Sequence, residues 1–142
     1  MEFNSIKEYV KNIISSFPID DFKNISIDYL DSELFSFSIE TIPDIKVITK
    51  YVDGATLEQF KFMIISNRLY SNNDRIMLDN AGVFEVFSDW IENLKLIKPK
   101  ELNINPIKFE TLGHVFIHDN DSEKARYTQE IRLIYIKKKQ IT

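Results

Sequence analysis

A chain of 142 residues has the length of one domain, and its 44% hydrophobic and 13% aromatic content is enough to build a core that buries roughly two-thirds of the unfolded surface. The formal net charge of −4 argues against broad nucleic-acid binding, which is typical of basic domains. The sequence contains no cysteine, so a disulfide framework and thiolate chemistry are excluded.

The start of the chain and its hydropathy pattern argue against a membrane role. The first segment, MEFNSIKEYV, lacks the basic start and the unbroken apolar run of a signal peptide. No apolar run approaches the ~18 residues of a membrane span. We therefore expect a soluble protein made in the cytoplasm.

The first predicted element is a helix over residues 2–16, since apolar side chains recur on one stripe and Pro18 ends it. The stripe consists of Ile6, Val10, Ile13, Ile14 and Phe17. The acidic residues 18–33 predict a solvated connection with one short strand near residues 25–29. Phe35, Phe37 and Ile39 alternate with serines and predict a strand over residues 34–40, which Pro43 interrupts.

A hairpin is predicted next. Asp53 and Gly54 have the composition of a two-residue turn between a strand at residues 45–52 and a long strand after the turn. Phe60, Phe62 and Ile64 have the alternation of a half-buried strand. Met63 and Ile65, however, make the far end of this strand apolar on its second face as well.

A second helical region begins near residue 71, where Ser71, Asn72 or Asn73 is a candidate N-cap and Asp74 suits the positive end of the helix dipole. Gly82 predicts a kink between two short helices. A wide apolar stripe follows, formed by Val83, Phe84, Phe87, Trp90, Ile91 and Leu94. Residues 98–105 are predicted to be a loop.

The chain closes with a predicted hairpin of two strands over residues 107–117 and 125–137, joined by the polar turn HDNDSEK at 118–124. The order of elements predicts an α+β fold of one domain, with a largely antiparallel β-sheet and helices packed on one face. The residues expected to be buried together are Phe60, Phe62, Ile64, Phe87, Trp90, Ile91, Leu133 and Tyr135.

Two groups of residues have the spacing of metal ligands, but their predicted secondary structure argues against a metal site in each case. His114 and His118 have the spacing of a helical zinc pair, but on the predicted strand they would lie about 13 Å apart. Asp119, Asp121, Glu123 and Glu130 occupy ligand positions of a calcium loop, yet Lys124 replaces its essential glycine and a strand follows. We favour a solvated hairpin tip, and we expect no metal or other cofactor.

No nucleophile elbow, phosphate-binding glycine loop or dinucleotide fingerprint occurs among the three glycines. Nothing in the order of residues indicates a Ser-His-Asp site, so no catalytic residue is predicted and we expect a non-enzyme. Lys137, Lys138 and Lys139 could touch nucleic acid or an acidic neighbour, although a solvated tail at the end of a strand is the simpler interpretation.

Three stretches, taken in order, resemble a known family: KYVDGATLEQFKFMIISNRLY, NAGVFEVFSDWIE and ETLGHVFIHDNDSEKARYTQEIRLIY, with the short FSIETIP as a further match. They are similar to small minor capsid proteins encoded in the head–tail joining region of phages of Gram-positive bacteria. That family has a Tyr-Val-Asp-Gly turn, a Gly-Phe-Tyr-type helix ending in Trp and a Thr-Ala-Arg-Tyr-type strand. Val83 stands here where the family usually has Phe.

The resemblance implies a tail terminator, also called a tail completion protein, located in the virion at the tail–neck junction. Such proteins form a ring, usually a homohexamer, which stops growth of the tail tube and receives the head connector. The implied partners are the tail tube protein, connector or stopper proteins and, as a further candidate, the sheath, with DNA only as passing cargo. The subunit-interface candidates are Tyr51, Asp53, Gly54, Met63, Ile65, His118, Asp119 and Asp121.

Other functions remain open from the sequence: another head–tail connector, stopper or minor capsid protein, or a small α+β enzyme or binding module. For the second face of the long strand, two explanations are equally ordinary. It meets another subunit, or it is covered by a second helix of the same chain.

Overall fold

A computed structural model describes residues 5–18, 22, 25–30 and 32–138 of the chain. Two helices and six strands follow in the order α1 (Ile6–Ser15), β1 (Ser26–Ile27), β2 (Phe37–Thr41), β3 (Val47–Lys50), β4 (Thr56–Leu69), α2 (Asp74–Glu92), β5 (Ile104–Asn120) and β6 (Lys124–Lys137). The predicted α+β class is confirmed.

The sheet is built around the long strand β4. Its strand order is β1-β2-β4-β6-β5, and β3 pairs with β4 beyond the end of β2. β2 and β3 therefore act as two consecutive parts of one hairpin arm, interrupted around Pro43. All pairings are antiparallel except the short contact between β1 and β2.

The helices begin where short polar side chains can satisfy free backbone N–H groups. The Ser5 hydroxyl accepts a hydrogen bond from the Glu8 N–H, 3.2 Å away, so α1 begins at Ile6. Residues 2–4 of the predicted helix lie outside the described residues. The Asn73 side chain accepts from the Arg75 N–H at 2.9 Å, which confirms one of the three predicted caps of α2.

One hydrophobic core lies between the helices and a single face of the sheet. Strand register places Phe62 opposite Ile131 and Ile64 opposite Gln129, with their side chains toward α1 and α2. Of the eight residues predicted to share the core, six are buried: Phe62, Ile64, Phe87, Ile91, Leu133 and Tyr135. Phe60 and Trp90 are partly buried and pack against the same cluster.

Three boundary predictions are wrong. Gly82 does not divide α2, which continues from Asp74 to Glu92, because apolar contacts on both sides of the glycine hold one continuous helix. β5 begins at Ile104, inside the predicted loop, since the buried Ile104 pairs with Lys137. β5 also continues to Asn120, so the polar turn is shorter than predicted.

The acidic segment that follows α1 contributes more buried side chains to the core than its composition predicted. Phe22 and Ile25 are buried, and the Phe22 ring lies 5.0 Å from both Phe17 and Phe87 and 4.0 Å from Phe37. The predicted strand near residues 25–29 is present as the two-residue β1. Phe22 therefore links α2 and the residues just after α1 to β2.

Candidate interaction surfaces

The turn between β3 and β4 is one exposed tip of the molecule. The Tyr51 N–H donates to the Ala55 carbonyl at 2.8 Å and the Gly54 N–H donates to the Tyr51 carbonyl at 3.0 Å, so the loop has three residues rather than the predicted two. The Ala55 N–H donates to the Asp53 carboxylate at 3.0 Å. Gly54 has the predicted positive φ, 91°. The Tyr51 side chain is 43% exposed and Val52 is fully exposed.

Because Gly54 lies in the left-handed region, Gly54→Val is expected to cost about 1–3 kcal/mol of unfolding free energy, far more than added side-chain volume alone would explain at an exposed site. Gly54→Asn is the matched control, since Asn tolerates this conformation, and it should cost much less. Urea unfolding of the three proteins measures the difference. Equal stabilities of the Val and Asn variants would contradict the strain at this turn.

Below this tip, a buried carboxylate holds the end of β4 to β6. The Tyr135 hydroxyl donates to Glu58 at 3.0 Å and the Thr56 hydroxyl donates to the same carboxylate at 2.6 Å. Burial, followed by the neighbouring Glu58 charge, raises the pKa of the Tyr135 hydroxyl, which therefore stays protonated. This pair fixes the strands from which the tip projects.

The turn between β5 and β6 is a second exposed tip, at the other end of the sheet. The Asp121 carboxylate accepts the N–H groups of Glu123 and Lys124 at 2.8 and 2.7 Å. These backbone hydrogen bonds hold the pKa of Asp121 below its usual range. The predicted hairpin tip is confirmed, and Glu130, the last position of the calcium-loop pattern, lies within β6.

Polar side chains surround this second tip. Asp119 pairs with Arg126 at 3.5 Å, and His118 is exposed on the last part of β5. A shallow cup of about 290 Å³ lies here, lined by Ser32, Asn67, Asp119, Asn120, Asp121, Lys124 and Arg126. Lys124 donates to the carbonyl of Ser32, so the segment before β2 packs against this tip.

Register shows that the two tips are far apart. Thr56, beside the first tip, lies opposite Lys137, whereas Leu69, at the other end of β4, lies opposite Lys124 beside the second tip. The 14 residues of β4 between them span about 45 Å at the usual rise of a strand. The interface candidates therefore form two separate groups: Tyr51, Asp53 and Gly54 at one end, and His118, Asp119 and Asp121 at the other.

Met63 and Ile65, the remaining candidates, lie between these ends on the outer face of the sheet, which is the face opposite α1 and α2. Met63 is half-buried opposite Glu130, while Ile65 is only 4% exposed between Ser38 and Thr128. Little of the Ile65 side chain is therefore available to a neighbour.

No helix of the described residues covers the outer face. Its middle is occupied by charged side chains instead: Arg132 pairs with Glu110 at 2.7 Å and donates to Gln59 at 3.2 Å. Lys61 pairs with Asp44 at 3.2 Å. The second face of β4 thus has one buried apolar end and a polar, ion-paired centre, which argues against a broad apolar contact there.

His114 lies in a groove of about 400 Å³ between α2 and β5, together with Glu85, Asp89 and Glu92. Glu92 is engaged by Thr111, whose backbone N–H donates at 3.2 Å and whose hydroxyl also donates. Among the described residues, no group of three or more His, Asp or Glu side chains has metal-binding geometry. Both histidines lie on β5: His114 was predicted on this strand, whereas His118 was predicted in the turn that follows it.

A scan of protein-family models and a search of curated proteins found no significant match to this chain. Within the described part of the chain, no helix has the length and apolar character that a membrane crossing requires. The positive φ of Gly113, 76°, in the irregular part of β5 was not foreseen from the sequence, because the surrounding residues have an ordinary strand pattern.

Proposed function

We propose that this protein is a structural virion protein, a tail terminator that forms a ring at the head-proximal end of a phage tail tube and joins the tail to the head connector. The observation that carries the proposal is the presence of two different exposed tips at opposite ends of one sheet. A cyclic ring uses heterologous contacts, in which each subunit presents two unlike surfaces to its neighbours.

The stretches that resemble the phage family form the parts of the fold that position these surfaces. The first spans the β3–β4 tip and all of β4, the second lies in α2, and the third forms most of β5, the second tip and most of β6. α2 packs on one face of the central strands through Phe84, whose ring lies 6.1 Å from that of Tyr127. The likeness therefore involves one connected scaffold and not scattered fragments.

The proposed partners are copies of the same chain in a homohexamer, the tail tube protein below the ring and the connector or stopper above it. DNA would pass through the ring without being held. Holding it would require Lys and Arg side chains along the channel that contact the phosphates, and the proposal assigns no such contacts to the channel. The proposed location is the tail–neck junction of the virion.

The proposal is tested by imaging the whole particle, including the tail–neck junction, of a phage that encodes this protein. A ring of this chain at the top of the tube would support it. A location on the capsid surface, or no location in the particle, would contradict it.

A further inference from the structure

Lysines collect at the end of the sheet that carries the β3–β4 tip. Lys50 and Lys137 flank Thr56 in the strand register, and Lys138 is tied to Asn103 by backbone and side-chain hydrogen bonds of 3.2 and 3.0 Å. The Lys98 and Lys138 side chains lie against each other, and this contact lowers the pKa of Lys98. We call this region the basic end; its exposed lysines are Lys50, Lys98, Lys137 and Lys138, and one carboxylate, Asp53, lies at the tip itself.

Exposed apolar side chains lie beside these lysines. Val52 is fully exposed at the tip, Tyr51 precedes it, and Ile97, next to Lys98, is 81% exposed. Aliphatic side chains add nothing to phosphate contacts, which come from cationic and hydrogen-bonding groups. A protein surface with apolar and acidic groups fits this end better than a nucleic acid does.

The opposite end of the same chain has that complementary character. Asp119, Asp121 and Glu123 are exposed there. Of the cations at this end, Arg126 is paired with Asp119, Lys124 donates to the Ser32 carbonyl, and Arg68 is buried over the Phe35 ring. We call this region the acidic end. Its exposed apolar side chains are Leu34, Phe35, Leu69, Tyr70, Phe116 and Ile117.

We infer that the basic end of one subunit docks on the acidic end of a second copy, head to tail. Lysines then face carboxylates, and the exposed apolar side chains of both ends are removed from water. Because the two surfaces differ, the contact is heterologous and repeats from copy to copy. This inference deepens the proposed function. It rests on that function in one respect, namely that the repeated head-to-tail contacts close into a ring.

The absence of cysteine from the chain allows a direct test by disulfide trapping. Val52→Cys places one thiol at the basic end, and Ser122→Cys places one at the acidic end; both positions are exposed turn residues. Mixing the two purified full-length variants under mild oxidation should give crosslinked dimers containing one of each. The yield should exceed several-fold that from either variant alone and that from Ser122→Cys mixed with Val86→Cys, an exposed control position on α2.

Charge reversal then tests the chemistry of the contact. Lys98→Glu with Lys138→Glu, added to the Val52→Cys variant, should reduce crosslinking several-fold, as should Asp121→Lys with Glu123→Lys in the Ser122→Cys variant. Mixing the two reversed proteins should restore the yield, and raising the salt concentration should weaken the unmodified pair. Circular dichroism of each variant checks that the chain remains folded.

Crosslinking no greater than that of the α2 control would overturn the inference, as would a failure of the doubly reversed pair to recover. Salt-sensitive binding of duplex DNA that is lost in Lys98→Glu with Lys138→Glu would assign the basic end to nucleic acid and also overturn it. These measurements need no phage particle. Disulfide trapping between the two ends, without a ring in the virion, would support the inference and contradict the proposed function. A ring in the virion without such trapping would support the proposed function and contradict the inference.

Discussion

Replacing Phe62 with alanine is expected to lower the free energy of unfolding by about 3–5 kcal/mol, because the change removes a buried aromatic ring and leaves a cavity. Phe62 is fully buried in the middle of β4, between Thr41 of β2 and Ile131 of β6. Its ring centre lies 5.4 Å from that of Phe60 on the same strand and 6.2 Å from that of Phe109 on β5, so the loss affects the packing of both strands.

Leu69→Ala is the matched control for this prediction, because Leu69 ends the same strand and is 39% exposed. Urea denaturation of both variants gives the comparison, and the Leu69 change should cost much less. If Phe62→Ala were no more destabilising than Leu69→Ala, the helix-covered face of β4 would be assigned wrongly.

Ile91→Ala is expected to cost about 2–5 kcal/mol, because Ile91 is 1% exposed and belongs to the core on the inner side of α2. Val86 lies on the same helix but is 59% exposed. Val86→Ala should change stability by no more than about 0.5 kcal/mol, as is usual for surface substitutions.

Thermal and urea unfolding of these two variants test the orientation of α2 and not merely its presence. The helix would be rotated relative to the described packing if the Val86 change were the more harmful of the two.

The sequence was most informative where local pattern and tertiary packing agree. The alternation around Phe62, the helical stripe through Phe87 and Ile91 and the turn glycine Gly54 each specify one conformation, and the structure has all of them. The order of these elements was enough to predict the class of fold, with its antiparallel sheet and helices on one face.

The sequence was less informative where distant packing decides. Phe22 follows Asp20 and Asp21 and precedes Lys23 in the sequence, so its burial against Phe17 and Phe87 has no local signal. Gly82 normally weakens a helix by up to about 1 kcal/mol, but apolar contacts on both sides, such as Phe84 and Met77, keep α2 continuous.

For the candidate interaction surfaces too, local sequence pattern predicted some features, and distant packing determined the others. Exposure of Tyr51, Asp53 and Asp121 could be expected, because turns between strands lie at the surface. The distance between the two groups and the burial of Ile65 depend on strand register and on neighbours such as Thr128. The meeting of Lys98 with Lys138 likewise depends on how the segment after α2 returns to the end of β6.

The most direct test of the central claim is a cryo-electron microscopy structure of the particle, including its tail–neck junction, from a phage that encodes this chain. We expect a six-fold ring of this chain on the last layer of the tail tube, beneath the connector, with each subunit touching its two neighbours through unlike surfaces. A monomeric decoration on the capsid, or a particle with no copy of this chain at the neck, would contradict the claim.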